Sequence, residues 1–180
     1  MIKIVKLLPL FTLFLLLKMP CCAQEDESHY LPLTSHELQV GGGFTQLGFF
    51  LYADYGHKIN RKMFVTMGLV MEKGKINEID YTSYYLKPGL SYLVNHPEQK
   101  VHLLVAAGFL GAYSSLKETK DISADSKTSG MNVGGYVGPE LEVMLSKSLL
   151  LNTHFHQAYL PLEFMGTAMY FAGAGLKFKF

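Results

Sequence analysis

Cysteine is scarce in this chain of 180 residues, and both copies, Cys21 and Cys22, stand in a stretch that reads as a removable leader. Without that leader no thiol remains, which excludes a disulfide framework and any cysteine metal site even in an oxidising compartment. A basic excess is lacking as well. With Lys3, Lys6 and Lys18 removed, 13 basic residues stand against 15 acidic ones, so nothing favours binding to nucleic-acid phosphates. The apolar run Leu7 to Leu17 covers eleven residues, with Pro9 inside it and Lys18 at its end. An α-helix needs roughly 20 residues to cross a bilayer, so a retained helical anchor is not expected. No segment carries a helical stripe and none resembles an interdomain linker, so about 157 mature residues make one domain.

What is present at the start is an export signal. Lys3 and Lys6 precede the apolar run, and Cys21-Cys22-Ala23 offers small residues where a signal peptidase cuts, which predicts a signal peptide over 1–23 and cleavage between Ala23 and Gln24. Lys18-Met19-Pro20 does not resemble the small-residue box of lipoprotein processing, so lipidation is not expected. Residues 24–35, including the acidic stretch Glu25 to Ser28, read as a periplasmic lead-in, and 36–180 as the folded domain.

Eight segments of strand character follow, over 36–45, 48–59, 62–76, 80–94, 101–118, 129–146, 148–161 and 166–180. A transmembrane β-strand needs roughly 9 to 11 residues, so each is long enough to span. The last segment alternates clearly. Ala168, Tyr170, Ala172, Ala174, Leu176, Phe178 and Phe180 share one face, while Lys177 and Lys179 lie on the other. In the sixth, Met131, Val133, Val137, Leu141 and Val143 oppose Asn132, Tyr136, Glu140 and Glu142; in the fourth, Tyr84, Leu86, Leu90 and Tyr92 oppose Lys87 and Ser91. With lipid outside and a packed lumen inside, the charged residues point inward. The prediction is an eight-stranded antiparallel up-and-down β-barrel of outer-membrane type, whose closure leaves no exposed edge at membrane depth. Tyr170, Phe178 and Phe180 form its terminal signal, and outer-membrane lipid is its first partner.

Connections after even-numbered strands are short, near 59–62, 94–100 and 146–148, and those between them are mostly longer, as in barrels with short periplasmic turns. The connection near 46–48 is short against this rule. Pro88 and Pro139 lack a ladder donor, so bulges are expected there. Inside the lumen, Glu140 and Glu142 are expected to meet Lys87, Lys177 and Lys179 as one charge network. Gly41-Gly42-Gly43 is not followed by the lysine-serine of a phosphate loop and instead suggests curvature or close packing.

Chemistry is thinly encoded. His154 and His156 share a strand face and could pair on a metal, or join Ser114 in a hydrolase constellation. No third ligand or orienting acid follows from spacing, and lumen histidines are more often hydrogen-bonded structural groups. The reading is therefore no catalytic residue, no metal and no cofactor.

Four stretches carry a resemblance: the run from Tyr85 to Tyr92 (YLKPGLSY), Gly108 to Leu116 with Glu118, Gly134 to Leu151, and Ala172 to Phe180. They resemble the TraO proteins of Bacteroidota conjugative transposons. That resemblance implies a non-enzymatic outer-membrane component of a conjugative transfer apparatus, with other transfer proteins as partners. The alternatives are an outer-membrane enzyme acting on lipid or peptidoglycan, and a general adhesin or integrity barrel. The polar, mixed-charge run between Leu116 and Gly130 is expected to face outward and contact a partner or the neighbouring cell.

Overall fold

The computed structural model describes residues 36–76, 79–96, 99–116, 129–161 and 168–180. The expected signal peptide and lead-in, and nearly all of the run between Leu116 and Gly130, lie outside these residues. Eight strands are present: β1 (His36–Thr45), β2 (Gly48–Lys58), β3 (Met63–Ile76), β4 (Ile79–Leu93), β5 (Val101–Leu116), β6 (Ser129–Met144), β7 (Leu149–Tyr159) and β8 (Ala168–Lys179). Each pairs antiparallel with its chain neighbour, and β8 pairs with β1 to close the barrel. At the seam, His36 and Phe180 exchange backbone hydrogen bonds of 3.0 Å in both directions.

Period-two patterning accounts for the closure. Along β7 Asn152, His154, His156 and Ala158 are buried, while Leu151, Phe155 and Tyr159 are exposed between them. A slip of one residue would put the histidines into lipid and Leu151, Phe155 and Tyr159 into the lumen, so the pattern fixes the register.

The short-turn end is tied by side chains standing in for backbone partners. Asn60 Oδ1 accepts from the N–H groups of Lys62 and Met63 at 2.9 Å, and Asn95 spans its turn through Leu103 N–H and the Val101 carbonyl. The opposite end holds the short β1–β2 connection. There Thr45 Oγ1 accepts from Leu47 N–H at 3.2 Å and Gly48 N–H at 3.0 Å while donating to the Glu72 carboxylate. An outer connection this short is stable because it is anchored to a buried lumen group.

The expected bulges at Pro88 and Pro139 do not occur. Leu86 pairs with Gly111 and Gly89 with Gly108, an equal step on both strands; likewise Val137 pairs with Gln157 and Glu140 with His154. No residue is inserted. The ladder lapses on one side of each proline, whose missing N–H leaves no bond to make, while pairing on the other side continues through Met67–Pro88 and Val105–Pro139. Neighbours already in register on both sides make a bulge unnecessary.

Glycines on the inner face make room for large side chains. A Cβ on Gly89 would meet the Tyr136 hydroxyl at 2.1 Å, and one on Gly175 would meet that of Tyr52 at 2.4 Å. At Gly41 and Gly43 it would strike β8 backbone oxygens and the rings of Tyr52 and Phe50. The glycine triplet therefore serves close packing, with both rings laid against the β1–β8 seam.

Candidate functional site

Among the described residues buried polar side chains collect in the lumen, which is filled in layers. Nearest the short turns, Lys177 of β8 contacts Glu142 of β6 and lies 3.4 Å from Glu37 of β1. Lys179 reaches Glu37 at 3.6 Å, and His102 Nδ1 stands 3.6 Å from Glu142. Four strands thus meet in one buried charge cluster. Above it, Lys87 pairs with Asp54 at 3.4 Å, and Glu140 accepts a hydrogen bond of 3.0 Å at His156 Nε2. His156 stacks on His154 at 4.8 Å between centroids, and Gln39 donates to Tyr52 and Asn152 at 2.7 and 2.9 Å.

Beyond this polar half the core is apolar. Phe171 meets Phe50 and Tyr85 edge-on, each at 5.4 Å, within a cluster that includes Val70, Leu110 and Met169. At the far end Glu72, fully buried, accepts hydrogen bonds from Thr45, from Tyr81 at 2.7 Å and from Tyr85 at 2.5 Å. Three hydroxyls can satisfy a buried carboxylate where no cation is at hand.

Of the residues expected to form a charge network, Glu142 and Lys177 meet directly. Lys179 joins them through Glu37, Glu140 is held by His156, and Lys87 is held by Asp54. Glu37, Asp54, Glu72 and His102 were missed by the sequence reading, although extending the alternation to β1, β2, β3 and β5 puts all four on inner faces. Ser114 is buried and hydrogen-bonds Ser83 at 2.8 Å, and His154 Nδ1 faces Asn152 at 3.4 Å. Among the described residues no group of three or more His, Cys, Asp or Glu converges as a metal site. A cavity of about 20 Å³ bordered by Asp54, Lys87, Glu140 and Lys177, and another of about 10 Å³ beside His154, lie within this packing. The larger holds about one water molecule, and among the described residues the inward side chains fill the lumen.

The outer surface reverses this chemistry. Leu51, Val65, Leu69, Leu86, Val105, Phe109 and Val137 are exposed around the wall, each at least 42 %. An aqueous protein rarely leaves a continuous apolar belt of this kind uncovered. Tyr55, Tyr92, Phe178 and Phe180 rim the belt toward the short turns, and Phe44, Phe49, Tyr84, Tyr113 and Tyr159 rim it on the other side. Two aromatic girdles around an apolar band define a transmembrane β-barrel of outer-membrane type.

Comparison with solved structures agrees on the fold. The N-terminal β-barrel domain of Pseudomonas aeruginosa OprF superposes with TM-score 0.60 at 15 % identity, over 81 % of this chain and 97 % of that one. Neisserial surface protein A gives 0.64 at 14 %, over 82 % and 96 %. A major outer membrane protein of Thermus thermophilus gives 0.66 at 11 %, over 82 % and 99 %. No protein-family model and no curated protein matches the chain.

Proposed function

We propose that this protein is a non-enzymatic barrel of the outer membrane, exported by its leader, that serves the transfer apparatus of a conjugative transposon. The observation that carries the proposal is the resemblance of the four glycine-aromatic stretches, spread over most of the mature chain, to TraO proteins. A filled lumen supports an accessory role over transport, because a side-chain-packed barrel of eight strands passes no large substrate. Its work then falls to the outer loops, the rim and the surfaces offered to other transfer proteins. The burial of Ser114 and His154 supports the absence of hydrolysis, since a nucleophile acting on lipid or peptidoglycan must be reached by its substrate.

The test is a clean deletion of the gene in a donor strain, complemented in trans. Loss of mating with restored transfer on complementation supports the proposal. Unchanged transfer sinks it. Replacing 117–128 by a short glycine-serine turn then distinguishes the long connection from the rim as the contact.

A further inference from the structure

Charge is distributed unevenly between the inside of the barrel and its short-turn end. Among the described residues every acidic side chain except Asp80 is turned into the lumen, and Asp80 lies at the opposite end beside Lys75 at 3.8 Å. The short turns carry the reverse. Arg61, Lys100 and Lys147 are exposed and Lys62 half-exposed, so each of the three turns presents a basic group. No acidic side chain is described at this rim; Glu98 and the lead-in acids Glu25, Asp26 and Glu27 lie outside the described residues. The aromatic girdle formed by Tyr55, Tyr92, Phe178 and Phe180 stands immediately next to it on the lipid side. Lys62 Nζ lies 6.0 Å from the centre of the Tyr92 ring, which links the basic rim to the girdle. Long basic side chains can lay their methylenes along such a girdle and hold their charges at headgroup depth.

We propose that this rim binds the headgroups of anionic phospholipids in the periplasmic leaflet. The barrel fits such a partner in three ways. Its basic groups stand on the turns of one end of the barrel, three separate turns supply them so that several headgroups can be engaged together, and among the described residues the acids near this end are turned into the lumen, away from lipid. The inference is independent of the transfer role and rests only on the membrane-spanning fold.

The chain contains no tryptophan, so Tyr92→Trp supplies a single reporter next to Lys62, and Tyr159→Trp, paired with Gly135 and Ala168, a control at the opposite girdle. Each variant is reconstituted in bilayers of brominated phosphatidylglycerol mixed with phosphatidylcholine, and in the converse mixture with brominated phosphatidylcholine. In the Tyr92→Trp chain the indole should report a preference for the anionic lipid on the order of fivefold, the factor that one basic group near an anionic surface contributes. In the Tyr159→Trp chain no preference is expected. The preference should fall toward unity in high salt and in a chain that also carries R61Q, K62Q, K100Q and K147Q. These turn positions leave the lumen intact, and unchanged unfolding midpoints verify that. Equal quenching by both lipids in the Tyr92→Trp chain, or a preference untouched by the four substitutions, overturns the proposal and leaves the rim to an acidic periplasmic protein.

Discussion

Replacing Lys177 with methionine probes the most interconnected point of the lumen. The ammonium contacts Glu142 and lies 3.4 Å from Glu37, with all three side chains no more than 8 % exposed. Removing one member of a buried pair costs about 3 to 5 kcal/mol, because the remaining charge keeps its desolvation cost without its partner. Here the loss is asymmetric. Glu37 retains Lys179 at 3.6 Å, whereas Glu142 is left with His102 at 3.6 Å. The expected destabilisation therefore lies at the lower end of that range, about 3 kcal/mol. Lys179→Met should cost less, about 1 kcal/mol, since Glu37 then keeps its contact with Lys177. Combining Lys177→Met with Glu142→Gln removes the stranded charge and should recover most of the loss, because replacing both partners of a buried pair is often close to neutral. Reversible urea unfolding in lipid vesicles, read by tyrosine fluorescence, gives all four corners of the cycle. A Lys177→Met chain within about 1 kcal/mol of the parent, or a double variant no more stable than the single one, would refute the cluster as an ion-pair network.

The other predictions test the wall and the seam. Val137→Lys places a charge on the lipid face far from either end of β6 and should cost about 2 to 4 kcal/mol in the same assay. Gly89→Ala drives a methyl into the Tyr136 hydroxyl and should cost about 1 to 3 kcal/mol, with a smaller penalty in a Tyr136→Phe background, where that 2.1 Å contact is gone. Deleting Phe180 removes the backbone pairing with His36 and the stacked ring beside it at 6.0 Å. Slower barrel closure, seen as a persistent unfolded band by cold gel electrophoresis, is the expected outcome. Pro139→Val restores a donor opposite the lapse in the β6–β7 ladder, and amide exchange of the β7 residues facing it should slow if that lapse comes from the missing N–H alone.

Alternation along the strands was sufficient to determine which side chains face lipid and which face the lumen, because a strand has only two faces and the bilayer permits only one assignment of charge. That is why the inward placement of Lys87, Glu142 and Lys177, and the outward placement of Val137 and Leu176, were legible without coordinates. Strand number followed from the same pattern, since the turn residues between segments interrupt it. Pairing within the lumen was decided only by tertiary structure. Inward residues on different strands meet according to barrel stagger and depth, which no single strand encodes, so Glu140 found His156 in place of a lysine and Asp54 took Lys87. The prolines teach the same point in reverse. Locally each argues for a bulge, yet pairing on the opposite side of the strand holds the register, and the wall absorbs one missing bond more easily than a shift of every residue beyond it.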